Sequence, residues 1–198
     1  MMFSRMVENL YLELSREYDG LYEKGSLMHS PKVKIKHHNW TIYIDTITEN
    51  YSRHSIRYTR LRSCVNLKHN INFKIVKKNF MRYVENYFSD HSIELGKHEF
   101  DVNYYVYGNN EDLIKTLLNE TEMLSAIISI PKLNLLLSRK TYHHGKKCLP
   151  NEGTLSYFVP GVIDDELVLK RLIWIYQNLL DRMYKWDIIG EDDGKTVL

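Results

Sequence analysis

The sequence predicts an α+β fold: a single domain with an antiparallel sheet, helices packed on one face, an N-terminal helix and a long C-terminal helix. Three observations lead there. Apolar residues alternate in short runs that succeed one another across tight turns, as hairpins do. Helical periodicity is concentrated at the two ends and in one central insertion. Strands and helices do not alternate one by one, as a parallel sheet would require. With 198 residues, 43% of them hydrophobic, the chain has enough apolar surface to build one substantial core. The expected domain spans residues 1–187, followed by an acidic flexible tail at 188–198.

Each element has a local reason. Residues 3–24 read as an amphipathic helix, because Phe3, Met6, Leu10, Leu14, Tyr18 and Leu21 recur at three and four. Val33 and Ile35 alternate with Lys32, Lys34 and Lys36, and Trp40, Ile42 and Ile44 alternate on the return. A hairpin is therefore expected at 32–47, turning at His37-His38-Asn39, with a loop starting at Glu49-Asn50 and lysines marking a sheet edge. Residues 55–67 read as a long strand, with Ile71, Phe73 and Ile75 as its short partner. Phe80, Tyr83, Val84, Tyr87 and Phe88 share a helical face over 79–88.

The most strongly patterned stretch runs from His98 to Thr141. Phe100, Val102, Tyr104 and Val106 alternate as a strand with a buried face. Asn110 is the expected cap of a helix carrying Leu113, Ile114, Leu117 and Leu118. A second cap is expected at Asn119 to Glu122, with Glu122 in a capping box. Pro131 ends that helix, and Leu133, Leu135 and Leu137 form a further strand. A polar loop at 142–153 and a strand over Leu155–Val159 follow. Asp164 or Asp165 caps the last helix, whose buried stripe is Val168, Leu172, Ile175, Leu179, Met183 and Trp186.

The run Glu99-Phe100-Asp101, then Tyr104-Tyr105-Val106, a turn and a Leu-rich helix, resembles a family of uncharacterised bacterial domains of unknown function. Members of that family carry an FD-x-x-F-x-V strand before a short helix and a TR pair upstream, which Thr59-Arg60 would match. The resemblance spans residues 30–140. It implies a bacterial domain of that class and supplies no catalytic or binding residue. Several members look membrane-anchored, whereas no run here approaches the roughly 20 apolar residues of a membrane helix.

The sequence carries few of the motifs that mark catalysis or cofactor binding. There is no phosphate-binding glycine loop, no nucleophile elbow and no H-E-x-x-H. Cys64 and Cys148 have no zinc-ribbon spacing and are expected to be free thiols. His37-His38 and His143-His144 fall in predicted turns. Adjacent residues of a regular strand point to opposite sides, so neither pair is expected to chelate a metal. No cofactor and no metal are therefore expected. One feature is distinctive: residues 50–84 hold nine basic residues and no acid, while the rest of the chain carries 18 basic against 25 acidic residues. Aromatics are interleaved with that charge, as in surfaces that bind single-stranded nucleic acid. Arg57, Arg60, Arg62, Lys74 and Arg82 are the candidate anion-binding residues. Arg60 and Arg62 either pair with internal acids or line an open surface.

The leading expectation is a soluble, cytoplasmic, non-enzymatic module that binds a protein partner, without membrane insertion. Acids interrupt the N-terminal stretch where a signal peptide needs an apolar core. The first alternative is binding of nucleic acid or another polyanion through residues 50–84. The second is an unrecognised hydrolase using a histidine and carboxylates such as His98, Glu99 or Asp101.

Overall fold

The computed structural model describes residues 5–26, 30–51, 54–79, 92–139, 142–143, 146–147 and 151–191. Helix α1 (Arg5–Glu17) buries Val7, Leu10, Tyr11 and Leu14, one helical face. It is shorter than the sequence periodicity suggests. Asp19 adopts a positive φ of 47°, and a Cβ on Gly20 would stand 2.5 Å from the Lys34 carbonyl oxygen. The chain therefore turns there, and Leu21 begins strand β1 (Leu21–Glu23) instead of extending the helix.

Strands β2 (Lys32–His37), β3 (Trp40–Tyr51) and β4 (His54–Asn66) continue as an antiparallel meander. The hairpin and the long strand stand where the alternation places them. The loop expected at Glu49-Asn50 is strand instead: Asn50 pairs with Ser55, and the Ser55 hydroxyl donates to the Asn50 side chain at 2.6 Å. Lys32, Lys34 and Lys36 are one strand in from the edge, because the three-residue β1 pairs with β2.

Strand β5 (Phe73–Lys77) forms as expected but is not the neighbour of β4. It pairs with β6 (Tyr104–Gly108) and β7 (Asn134–Arg139). The slot beside β4 is filled by β10 (Glu152–Pro160), which begins three residues before the expected strand. The sheet order is β1-β2-β3-β4-β10-β7-β5-β6, with every neighbouring pair antiparallel. Between β7 and β10, where a loop was expected, β8 (Tyr142–His143) and β9 (Lys146–Lys147) pair as a two-stranded ribbon. The helix expected at 79–88 falls almost wholly outside the described residues, as does Cys148. Cys64 is buried and forms no disulfide among the described residues.

The expected strand over Phe100–Val106 divides in two. Residues His98–Asn103 form helix α2, leaving Phe100 buried and Val102 54% exposed. The Asp101 carboxylate explains the change. It accepts from the backbone N–H groups of Leu95 and Lys97, both at 2.9 Å, and so ties the helix to the segment that leads into it. Phe100 then stacks on Tyr104, with ring centroids 4.8 Å apart.

Helix α3 (Glu111–Leu118) starts at Asn110, whose side chain accepts from the Leu113 N–H at 3.1 Å, as read from the sequence. Helix α4 (Thr121–Ile128) has no side-chain cap bond at Glu120, so the expected capping box does not form. Arg182 crosses from the last helix instead. It donates to the Leu117 and Thr116 carbonyls at 2.6 and 2.7 Å and to Glu120 at 2.8 Å, satisfying the free carbonyls at the end of α3. Helix α5 (Glu166–Lys185) is capped by Asp165, which accepts from Leu167 and Val168. Val168, Leu172, Ile175, Leu179 and Met183 are buried as predicted, but Trp186 lies beyond the helix and is 46% exposed.

The tail does not detach at residue 188. Ile188 and Ile189 are fully buried, Ile189 bridges to Leu67, and the Gly190 N–H donates to the Asn66 carbonyl at 2.8 Å. Two adjacent isoleucines carry enough apolar surface to hold the chain against the β4 end.

Buried side chains of α1, α3, α4 and α5 join one core with Val33, Ile44, Leu61, Leu135 and Tyr157. These strand residues all lie on one face of the sheet. Buried Cys64 and Val76 point the other way and do not belong to that core. Among the described residues, the helices thus cover one face. No described helix is long and apolar enough to cross a membrane.

Candidate functional site

The face opposite the helices holds the chemically distinctive residues, and the strand register decides which of them meet. Residues opposite one another on neighbouring strands share a face. One row runs Lys34, Tyr43, Arg62, Ser156, Leu136, Lys74 and Tyr107 across the sheet. The next runs Lys32, Asp45, Arg60 and Phe158. Tyr58 lies two residues from Arg60 on β4 and stacks on Phe158, with centroids 4.4 Å apart and planes 12° from parallel.

Cations and rings are interleaved. The Arg62 guanidinium sits 5.7 Å from the centre of the Tyr43 ring, and the Lys34 ammonium 5.9 Å from it, both within cation–π range. At the far side of the sheet the Lys78 ammonium is 4.7 Å from the Tyr105 ring. Tyr43, Tyr58, Tyr105, Tyr107 and Phe158 on this face are half-buried.

Asp45 sets the electrostatics of the centre. Its carboxylate accepts both arms of the Arg60 fork, at 2.8 Å from Nε and 2.7 Å from the second nitrogen. This bidentate geometry is the strongest form of the pair. Among the described residues Arg62 donates only one longer hydrogen bond, 3.3 Å to the same carboxylate. Its Nε is buried without a partner among the described residues. Burial, followed by repulsion from Arg60, lowers the Arg62 pKa. Arg62 is therefore a cation with unused donor capacity beside an aromatic ring. Toward the edge, Glu23 pairs with Lys34 and, at 3.2 Å, with Lys32, and these contacts, Lys34 first, hold its carboxyl below the usual range.

The five sequence-predicted residues do not all converge. Arg60 and Arg62 stand together, joined through Asp45. Lys74 shares their face and the Arg62 row, three strands away, about 14 Å at the usual strand spacing. It is buried, and desolvation lowers its pKa. Arg57 is on the opposite face, in phase with Thr59 and Leu61. Arg82 lies outside the described residues. Three contributors escaped the sequence reading: Lys34, Tyr43 and Phe158. For Lys34 and Tyr43 the signal was present as the polar phase of the β2–β3 alternation, out of step with Val33 and Ile44; for Phe158 it was the phase of β10 opposite to Leu155 and Tyr157, and only the register brings these phases together beside Arg60 and Arg62.

The residues of the hydrolase reading are placed elsewhere. His98 and Glu99 are exposed on α2, and Asp101 spends its carboxylate on Leu95 and Lys97. A hollow nearby is lined by Leu95, Lys97, Lys115, Thr116, Leu118, Asn119 and Leu124, with no histidine or acid among them.

Compared with known proteins, the chain matches no family model, no curated protein and no solved structure at a significant level. What the molecule does must be argued from this face and its chemistry alone.

Proposed function

We propose that the sheet face which none of the described helices covers binds an extended polyanion, with single-stranded nucleic acid as the fitting class. The observation that carries this reading is the placement of Arg62 and Lys34 around Tyr43, one strand from the Tyr58–Phe158 stack. Rings on a sheet surface offer platforms for unstacked bases, and nearby cations neutralise the phosphates between them. Hydrogen-bond readout is sparse here, so the reading implies weak sequence preference.

A labelled single-stranded oligonucleotide, titrated at about 50 and about 200 mM salt, tests this, because phosphate contacts release counterions and binding falls steeply with salt. Arg62→Ala and Tyr43→Ala should each weaken binding, while Asp45→Asn, which removes the competing carboxylate, should strengthen it. Wild-type protein that binds no oligonucleotide at low salt overturns the reading.

A second reading keeps the protein partner. It is favoured by the Asp45 ion pairs, which neutralise part of the charge, and by half-buried Tyr43, Tyr58, Leu136 and Phe158, which a protein surface would also cover. Binding that persists in high salt and tracks Tyr58→Ala but not Arg62→Ala would support this alternative.

A further inference from the structure

We propose that His37, His38 and Asp181 form a binding site for a divalent transition metal of the zinc class. The strand rule argues against the histidine pair, since neighbours on a strand diverge. The structure breaks the rule at one residue. His37 ends β2, and His38 opens the turn with a positive φ of 51°. In that left-handed conformation the alternation fails. The two rings come together, with centroids 4.5 Å apart. Both reach the same carboxylate of α5. His37 Nε2 lies 2.8 Å from Asp181 Oδ1, and His38 Nε2 lies 3.6 Å from it. The three ligand atoms all fall within 4.8 Å of one another.

That spacing suits a metal. Bonds of 2.0–2.1 Å in tetrahedral geometry set ligand atoms about 3.3 Å apart. The 2.8 and 3.6 Å from the two histidines to Asp181 bracket this value, and the remaining pair lies within 4.8 Å, so side-chain rotation would close the set around an ion. Two imidazoles and one carboxylate select zinc, cobalt, nickel or copper over magnesium and calcium, which prefer oxygen ligands. Three protein ligands leave a position for water. The site faces solvent: the side chains of His38 and Asp181 are 68% and 49% exposed, while His37 is held at 16%. Bound metal would join the β2–β3 turn to α5, two segments 144 residues apart in sequence. Trp40 packs beside the site, 6.4 Å from His38 and 5.7 Å from Tyr184, and its buried indole N–H has no partner among the described residues. Its fluorescence gives a local reporter.

The test uses the full chain without an affinity tag. Zinc chloride is titrated calorimetrically, cobalt(II) by its visible absorption, and copper(II) by quenching of tryptophan fluorescence, with magnesium chloride as control. One equivalent of zinc should bind, magnesium should not, and cobalt should give the intense bands of a four-coordinate site. Asp181→Asn keeps the side-chain shape, and His38→Asn keeps a residue that tolerates the left-handed turn. Each should weaken zinc binding by more than about 100-fold, beyond the 10–100-fold typical of residues that only orient a ligand. Zinc should also raise the melting temperature of wild type and leave both variants unmoved. Wild type that binds neither zinc nor cobalt overturns the proposal, and so does unchanged zinc affinity in both variants.

Discussion

Asp45 shows how one side chain governs a surface. It is 94% buried as a residue, yet it stands on the half-covered face and balances two arginines. Removing a partly buried partner leaves uncompensated charge, which costs more than the pair itself contributes. Asp45→Ala should therefore destabilise the fold by about 3 kcal/mol, as measured by denaturant unfolding. A double variant that also replaces Arg60 with Met should recover much of this loss. A loss near zero for Asp45→Ala would mean that the pair is solvated and energetically neutral. The sequence displayed the arginines plainly but hid their partner. Asp45 precedes Arg60 by fifteen residues, and only the β3–β4 register brings the two opposite each other.

At the scale of elements, the helices are held by contacts that local patterns only partly announce. Asn110 and Asp165 were readable as caps because an N-cap depends on its own next three residues. The end of α3 was not readable, because its carbonyls are satisfied by Arg182, 65 residues downstream. Arg182→Met keeps most of the stem packing and removes the donors. It should cost about 2–3 kcal/mol, the scale of hydrogen bonds to a charged group, read as a shifted urea midpoint. Helix α2 escaped for the opposite reason: its alternation of Phe100, Val102 and Tyr104 fits a strand, and a local Asp101 contact overrides it. The segment after α5 offers a further check. Ile189→Ala removes a fully buried side chain and should cost about 2–4 kcal/mol. An unchanged melting temperature would show that residues 188–190 are dispensable.

For the whole molecule, the abundance of tyrosine has a consequence in alkali. Burial pushes the Tyr104 phenol up to about 12, and burial likewise raises Tyr11, Tyr157 and Tyr176. An unfolded tyrosine ionises near pH 10. Raised folded-state values mean that this stability is complete below about pH 10 and is lost as pH rises toward the folded values. Unfolding and phenolate absorbance should therefore appear together above about pH 10, with Tyr104→Phe shifting the transition upward. Early, non-cooperative ionisation of all the tyrosines would contradict this. The antiparallel α+β class was legible in the sequence because alternation and helical period are local. The strand order was not, since nothing near β5 says that two later strands will lie between it and β4. That topology bears on how the chain is made. On the ribosome, the meander from β1 to β4 and the β5–β6 pair can each form early, but β4 keeps a bare edge from Asn66 until Glu152 has emerged. A newly synthesised chain thus spends the interval between Asn66 and Glu152 with an open strand edge that carries Arg57, Arg60 and Arg62, a natural handle for a chaperone or for a second nascent copy. The last strand to arrive is the one that makes the protein a single body.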